Sequence, residues 1–182
     1  MREITLRHER SHRPKAPGSQ SRKRSGSLLA FTLLLLLCLV FSGCVKATPV
    51  EGDFAVPPFS VIIDGETYTQ DTFSNLQVYE CTATSTNRYG TEETYVYTGY
   101  QLEDVLTAAG ETTANGVTTV GSDGYEVDLD AKETSDSTTL VAFWRDGKPS
   151  SENGTIFVVP CKSDFSPDYA KDVTEIIINE AA

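Results

Sequence analysis

The chain has 182 residues, with 15 Lys and Arg, 26 Asp and Glu and two His, a formal net charge of −11. Both histidines, His8 and His12, precede residue 44, and the chain from there on carries seven cations against 24 acids, a net of −17. That balance works against nucleic acid and anionic headgroups as partners, and the missing imidazole excludes Ser-His-Asp or Cys-His catalysis and His-ligated zinc or haem after residue 43.

Residues 1–43 read as a lipoprotein signal peptide. A basic stretch closes with Arg22-Lys23-Arg24, and Leu28–Phe41 follows as an apolar run of 14 residues. A membrane span needs roughly 20, so a cleaved secretory leader is favoured over an uncleaved anchor. Phe41-Ser42-Gly43-Cys44 ends the run and resembles a bacterial lipobox, which implies cleavage after Gly43 and lipidation of Cys44. The expected location is extracytoplasmic, lipid-anchored to the cell membrane. Charge would not hold so acidic a domain there, which leaves the lipid on Cys44 as the hold. Residues 44–58, with Gly52, Pro49, Pro57 and Pro58, predict an extended tether. Residues 59–182 predict one domain.

That domain reads mainly as strands. Phe59–Ile63 and Glu66–Thr69 flank Asp64-Gly65, a two-residue hairpin signal. Gln77–Thr86 and Glu92–Thr98 alternate polar with apolar and connect through Asn87–Gly90. Asp71–Leu76 predicts a short helical turn. Thr98–Gly110 predicts the main helix: Leu102, Val105, Leu106 and Ala109 make one apolar stripe, Thr98 and Gln101 suit a capping box, and Gly110 suits a C-terminal stop. Val117–Gly121 and Tyr125–Leu129 flank Ser122-Asp123-Gly124. Thr139–Trp144 leads to the Asp146-Gly147 turn, Thr155–Pro160 follows Asn153-Gly154, and Val173–Asn179 is the last strand. The 20 threonines after residue 43 suit pleated surfaces. The predicted class is α+β with β dominant, a single mixed-sheet domain with one main helix near residues 100–110.

In this order and spacing, "YTGYQLEDVLTAAG", "VGSDGYEVDL", "LVAFWRDGKP", "NGTIFVVP" and "VTEIIIN" resemble the molybdopterin-binding domain of the sulfite-oxidase-like oxidoreductases, over nearly all of Phe59–Asn179. The resemblance implies a fold of that type and a molybdopterin cofactor, with the Cys81 thiolate as a soft ligand to molybdenum. A bound anion would touch Arg145 and Lys148, the close cationic pair around Asp146-Gly147. It further implies a redox enzyme or redox-chain subunit working with a membrane redox partner. The enzymes follow their cysteine with a Cys-x-x-Asn-x-Arg pattern, whereas here Asn87-Arg88 come six residues and more after Cys81. The alternative is a cofactor-free binding or interaction module on the same fold.

Cys81 therefore has three readings. It ligates molybdenum, as the resemblance implies. It pairs with Cys161, the other cysteine left once Cys38 departs with the leader and Cys44 takes the lipid; an even pair suits an exported protein. Or it is a small buried apolar group. Asp123, Glu126, Asp128 and Asp130 crowd together, either for calcium or, better, as the solvated face of a strand that buries Val127 and Leu129. Tyr79, Tyr95, Tyr97 and Tyr100 line a groove or pack across strands. Trp144 reads as core, and Asn153-Gly154-Thr155 as a turn rather than a glycosylation site.

Overall fold

The structure, a computed structural model, describes residues 45–52, 54–112, 115–151 and 153–180. The expected leader and the lipidation site Cys44 lie outside the described residues. In chain order the elements are β1 (Thr48–Pro49), β2 (Ser60–Ile63), β3 (Glu66–Thr69), β4 (Tyr79–Thr86), β5 (Glu92–Gln101), α1 (Leu102–Ala109), β6 (Val117–Gly121) and β7 (Glu126–Leu129). Then come α2 (Ala131–Thr134), β8 (Thr139–Arg145), β9 (Lys148–Pro149), β10 (Ile156–Pro160), a 3-10 turn (Ser166–Asp168) and β11 (Ala170–Ile178). The β-dominant α+β class holds.

One mixed sheet runs β1-β4-β5-β8-β10-β11-β2-β3, with β6 on β11, β7 on β6 and β9 on β8. Among the described strands only the β2–β11 pairing is parallel, beside an isolated parallel bridge between Thr86 and Phe165. β11 is the hub, bonding β10 and β2 as well as β6. The two-residue turns formed as predicted: Asp64 and Gly65 have φ of 46° and 85°, Asp146 and Gly147 of 51° and 69°, the left-handed backbone such hairpins require.

β8 and β10 are buried on both faces, which is why they read as unbroken apolar runs. On one side lies the larger core, where Phe59, Phe73, Tyr100 and Phe143 meet the apolar stripe of α1. Ring centroids there are 5.1 to 6.3 Å apart. The other side holds a second, smaller core built on Cys81, Tyr97, Phe157, Val159 and Cys161.

Three local expectations are corrected. The helix starts at Leu102, not Thr98; Thr98 stays in β5, paired with Glu80 on one side and Trp144 on the other, and Gln101 makes no side-chain cap. Strand pairing on two edges outweighs a capping signal worth about 1 kcal/mol. Gly110 does end α1, at φ 87°, with its N–H on the last carbonyls. Residues Asp71–Leu76 form overlapping turns, Phe73 N–H to Gln70 O at 3.2 Å and Leu76 N–H to Phe73 O at 3.0 Å, that drive Phe73 fully into the core.

The third correction concerns the tether. β1 pairs with β4, Thr48 opposite Glu80 and Pro49 opposite Tyr79, and Val50 N–H bonds Val78 O at 2.9 Å. Val45 and Ala47 pack on the smaller core, and Val50, Phe54 and Val56 on the larger. Burying these side chains outweighs the freedom of a Pro-containing arm, so residues from Val45 on are part of the fold.

Gly99 explains the Tyr97-Thr98-Gly99 motif. A Cβ built there would lie 2.1 Å from the Val141 carbonyl oxygen and 2.7 Å from the Ala142 Cα. Both are backbone atoms, so relief requires parting β5 from β8. Opposite the Thr98–Gly99 step β8 carries an extra residue, Phe143. Gly99→Ala is expected to lower the unfolding free energy by at least about 3 kcal/mol, read as the midpoint of urea unfolding; a loss under ~1 kcal/mol would mean that the strands are not held this close.

Candidate functional site

Alternation along β4 sends Cys81, Ala83 and Ser85 inward and leaves Glu80, Thr82 and Thr84 in water. Cys81 is 1% exposed and Cys161, just past the end of β10, is 2% exposed. Both thiols are free, belong to one buried cluster and lie close enough to shift each other's titration, and Cys81 Sγ is 3.9 Å from Thr82 O. Tyr169 belongs to the same cluster, its hydroxyl donating to Ser163 O at 2.8 Å. Tyr97, opposite Cys81 in β5, and Tyr169 meet edge to face at 6.1 Å. Val45 and Ala47 pack against the same cluster.

The electrostatics of the pair follow from this contact. The hydrogen bond between the thiols favours a thiolate on Cys81 and lowers its pKa, against the effect of burial. The same bond and burial push the Cys161 thiol far up, because a second thiolate cannot form beside the first. Burial pushes the Tyr169 phenol up to about 12 and raises Tyr97 further. Two buried thiols this close are placed for a disulfide to close once an oxidant removes two electrons and two protons.

The bulge at Phe143 decides where Arg145 goes. Val141, Phe143 and Trp144 face the larger core, whereas Leu140 and Ala142 face the smaller. The extra residue returns Arg145 to the thiol side, where its guanidinium lies 4.9 Å from the Tyr95 ring centroid and 5.5 Å from that of Phe157. This is cation–π packing. Lys148 is exposed and lines a shallow depression with Pro57, Pro58 and Pro149. The predicted anion-binding pair therefore does not converge on one cleft with Cys81. Four surface clefts have volumes of about 400 to 710 Å³, and neither cysteine lines any of them.

The implied cofactor does not fit this arrangement. A thiolate ligand needs an open side for the metal, but Cys81 is only 1% exposed within a packed cluster. A phosphate-bearing pterin needs gathered cations, but Arg145 is stacked on two rings and Lys148, its partner across the β8–β9 turn, is exposed. Among the described residues no group of three or more His, Cys, Asp and Glu is placed to hold a metal. Glu126, Asp128 and Asp130 face water while Val127 and Leu129 are buried, and two of the acids have structural partners. Asp128 accepts from Thr118 Oγ1 at 2.7 Å. Asp130 and Glu133 form a reciprocal capping box on α2.

Sequence reasoning missed Tyr169 and the junction at Asp136. Tyr169 sits in a loop with no periodic signal. Asp136 accepts from Thr138 N–H at 2.9 Å, Thr138 Oγ1 at 2.7 Å and Lys162 Nζ at 2.7 Å. Cys161 N–H bonds Thr138 O at 3.2 Å, so this junction sets the height of Cys161. Burial raises the Asp136 pKa, but its hydrogen bonds from Lys162 and Thr138 outweigh that and hold it below the usual carboxylate value. A depressed carboxyl contributes stability that is complete above the unfolded value of about 4 and is lost as pH falls through the lower folded value. Asp136→Asn is expected to flatten the acid limb of the stability–pH curve between roughly pH 4 and 2, measured by urea unfolding at each pH; an unchanged limb would sink the assignment.

Compared with protein-family models and with curated proteins, the chain matches none, so its site is read from this geometry alone.

Proposed function

We propose that this protein is an exported lipoprotein, anchored to the membrane through Cys44, whose domain is a cofactor-free binding or interaction module closed by a Cys81–Cys161 disulfide. The observation that carries the second part is that the two remaining thiols are both buried and packed in one cluster, Cys81 1% and Cys161 2% exposed. The first part rests on the lipobox-like Phe41-Ser42-Gly43-Cys44 after a 14-residue apolar run. The scaffold is of the sulfite-oxidase molybdopterin-binding type on this reading. Gly99 packed against β8, the helix that follows it and the Asp-Gly turns in their order support it. A scaffold of one enzyme family commonly carries other functions.

In the exporting compartment the thiol pair would close by exchange with a disulfide donor, which takes up the two electrons and the two thiol protons and leaves as its dithiol. The bond would span 80 residues of chain, from 81 to 161, and stabilise the fold by roughly 4 kcal/mol in the chain-entropy account.

The test uses the protein purified from the membranes of its own host. Denatured without reductant, Cys81 and Cys161 are expected to resist alkylation, and after reduction both should react. Reductant should lower the unfolding midpoint of the wild type to that of Cys81→Ala. Free thiols in the purified protein would leave Cys81 and Cys161 as a packed pair without a bond. About one molybdenum per chain, retained through purification, would overturn the module reading in favour of the redox enzyme.

A further inference from the structure

On the reading just proposed the anchor is Cys44, and the fold begins one residue later. Val45 already packs on the smaller core, and consecutive Cα atoms are about 3.8 Å apart. No chain remains to act as a spacer. Whichever end of the domain holds Val45 is therefore held at the bilayer.

The register of β1 identifies that end. β1 runs antiparallel to β4, with Pro49 opposite Tyr79 and Thr48 opposite Glu80. Stepping back along the chain from Thr48 moves up β4 toward Ala83 and the turn that follows Thr86. Val45 belongs to the same cluster as Ala83 and Tyr169. At this end three loops meet: the β4–β5 turn, the β6–β7 turn and the segment between β10 and β11.

These loops carry most of the exposed large apolar side chains. Among the described residues four such side chains stand in water: Tyr89 (95%), Phe165 (44%), Tyr125 (43%) and Ile177 (39%). The first three are here. Ile177 lies near the far end of β11, whose near end, Ala170, follows the Phe165 loop. The loops are fixed rather than loose. Arg88 Nη2 donates to the Tyr125 hydroxyl at 3.3 Å, and that hydroxyl to Pro167 O at 3.4 Å. Thr86 N–H bonds Asp164 O at 2.7 Å beside the Thr86–Phe165 bridge. Asn87 Oδ1 accepts from Tyr89 N–H at 2.9 Å and Thr91 N–H at 3.1 Å. Tyr89 thus stands on a braced turn with its ring almost wholly in water.

We propose that this end of the domain lies in the interfacial layer of the phospholipid bilayer, with Tyr89 and Phe165 inserted at headgroup depth. It is a second hold beside the lipid on Cys44. Aromatic side chains with a polar tip suit that depth, and an acylated protein gains stable attachment from a second membrane signal. Asp123 and Asp172 line one cleft with Arg88 and Lys171, and Glu92, Glu93 and Asp164 are exposed on the loops at this end. The contact is therefore with zwitterionic headgroups and does not draw on anionic lipid.

The lipidated full-length product, purified from host membranes, is reconstituted into phosphatidylcholine vesicles with brominated acyl chains. Tyr89→Trp and Ile177→Trp are compared with the wild type, whose Trp144 sets the baseline. The indole from Tyr89→Trp is expected to shift to the blue and lose most of its emission, and the one from Ile177→Trp to do neither. Adding phosphatidylglycerol should not increase the quenching. With acyl chains on Cys44 verified by mass, an unquenched Tyr89→Trp, or equal quenching at both positions, overturns the contact alone. A mature chain without an acyl group on Cys44 overturns the anchor and takes the contact with it.

Discussion

The contact between Cys81 and Cys161 depends on how far the sheet curls. β4 and β10 are separated by β5 and β8, three strand spacings or about 14 Å in a flat sheet. Two thiols can touch over that separation only if the four strands wrap and the chain after β10 folds back. It does: Asp164 and Phe165 bond the far end of β4. The result is a small buried cluster that Tyr169, 3% exposed, joins from the chain before β11. Ala83, Ala142 and the two cysteines are small enough to let its walls approach, while Tyr97 and Phe157 fill the remaining space. The cluster is an interior, and that is what turns Cys81 from a surface ligand into a packing and cross-linking residue.

Much of this was legible in the sequence because it is local. Asp64-Gly65 and Asp146-Gly147 announce turns through a backbone requirement that few residues meet. β8 and β10 announce themselves by apolar content, and the outward acids of β7 by alternation. What stayed hidden depends on contacts between distant segments. The side on which Arg145 falls is set by one extra residue in β8, and a single slip of that kind exchanges the two faces of a strand. Tyr169 joins the cluster only because β11 starts where it does. The start of α1 was misread because Thr98 and Gln101 carry a capping pattern inside a strand bonded on both edges. Two signals were present and unused. Asp130-x-x-Glu133 is a capping box in type and spacing. In the supposed tether, Val45 and Ala47 alternate with Lys46 and Thr48 as a half-buried strand does.

The order of turns, strands and helix can persist while the chemistry of a face does not. On the proposed reading the scaffold would be kept by Gly99, the Asp-Gly turns and the apolar alternation, all of which concern backbone approach and burial. A cofactor site would need an open thiolate and a concentration of positive charge, and those are set by a handful of side chains that can change without disturbing the fold. Here both cysteines are buried and Arg145 is stacked on two rings.

The charge of the chain bears on how such a domain sits at a membrane. The seven cations after residue 43 are widely dispersed: Lys162 is paired with Asp136, Arg145 lies on rings, and Arg88 is tied to Tyr125. Most of the 24 acids therefore remain unneutralised at the surface. At physiological ionic strength a charge is felt over about 8 Å, so acids on the body of the domain hardly sense the headgroups, and only those at the end nearest Val45 do. On the proposed reading, repulsion there would be weak against a covalent lipid but directional. It would oppose laying the acidic flanks on an anionic bilayer and leave the aromatic end as the contact of least cost. Net charge and aromatic placement would then act on different degrees of freedom, the first keeping the body off the surface and the second fixing which end meets it.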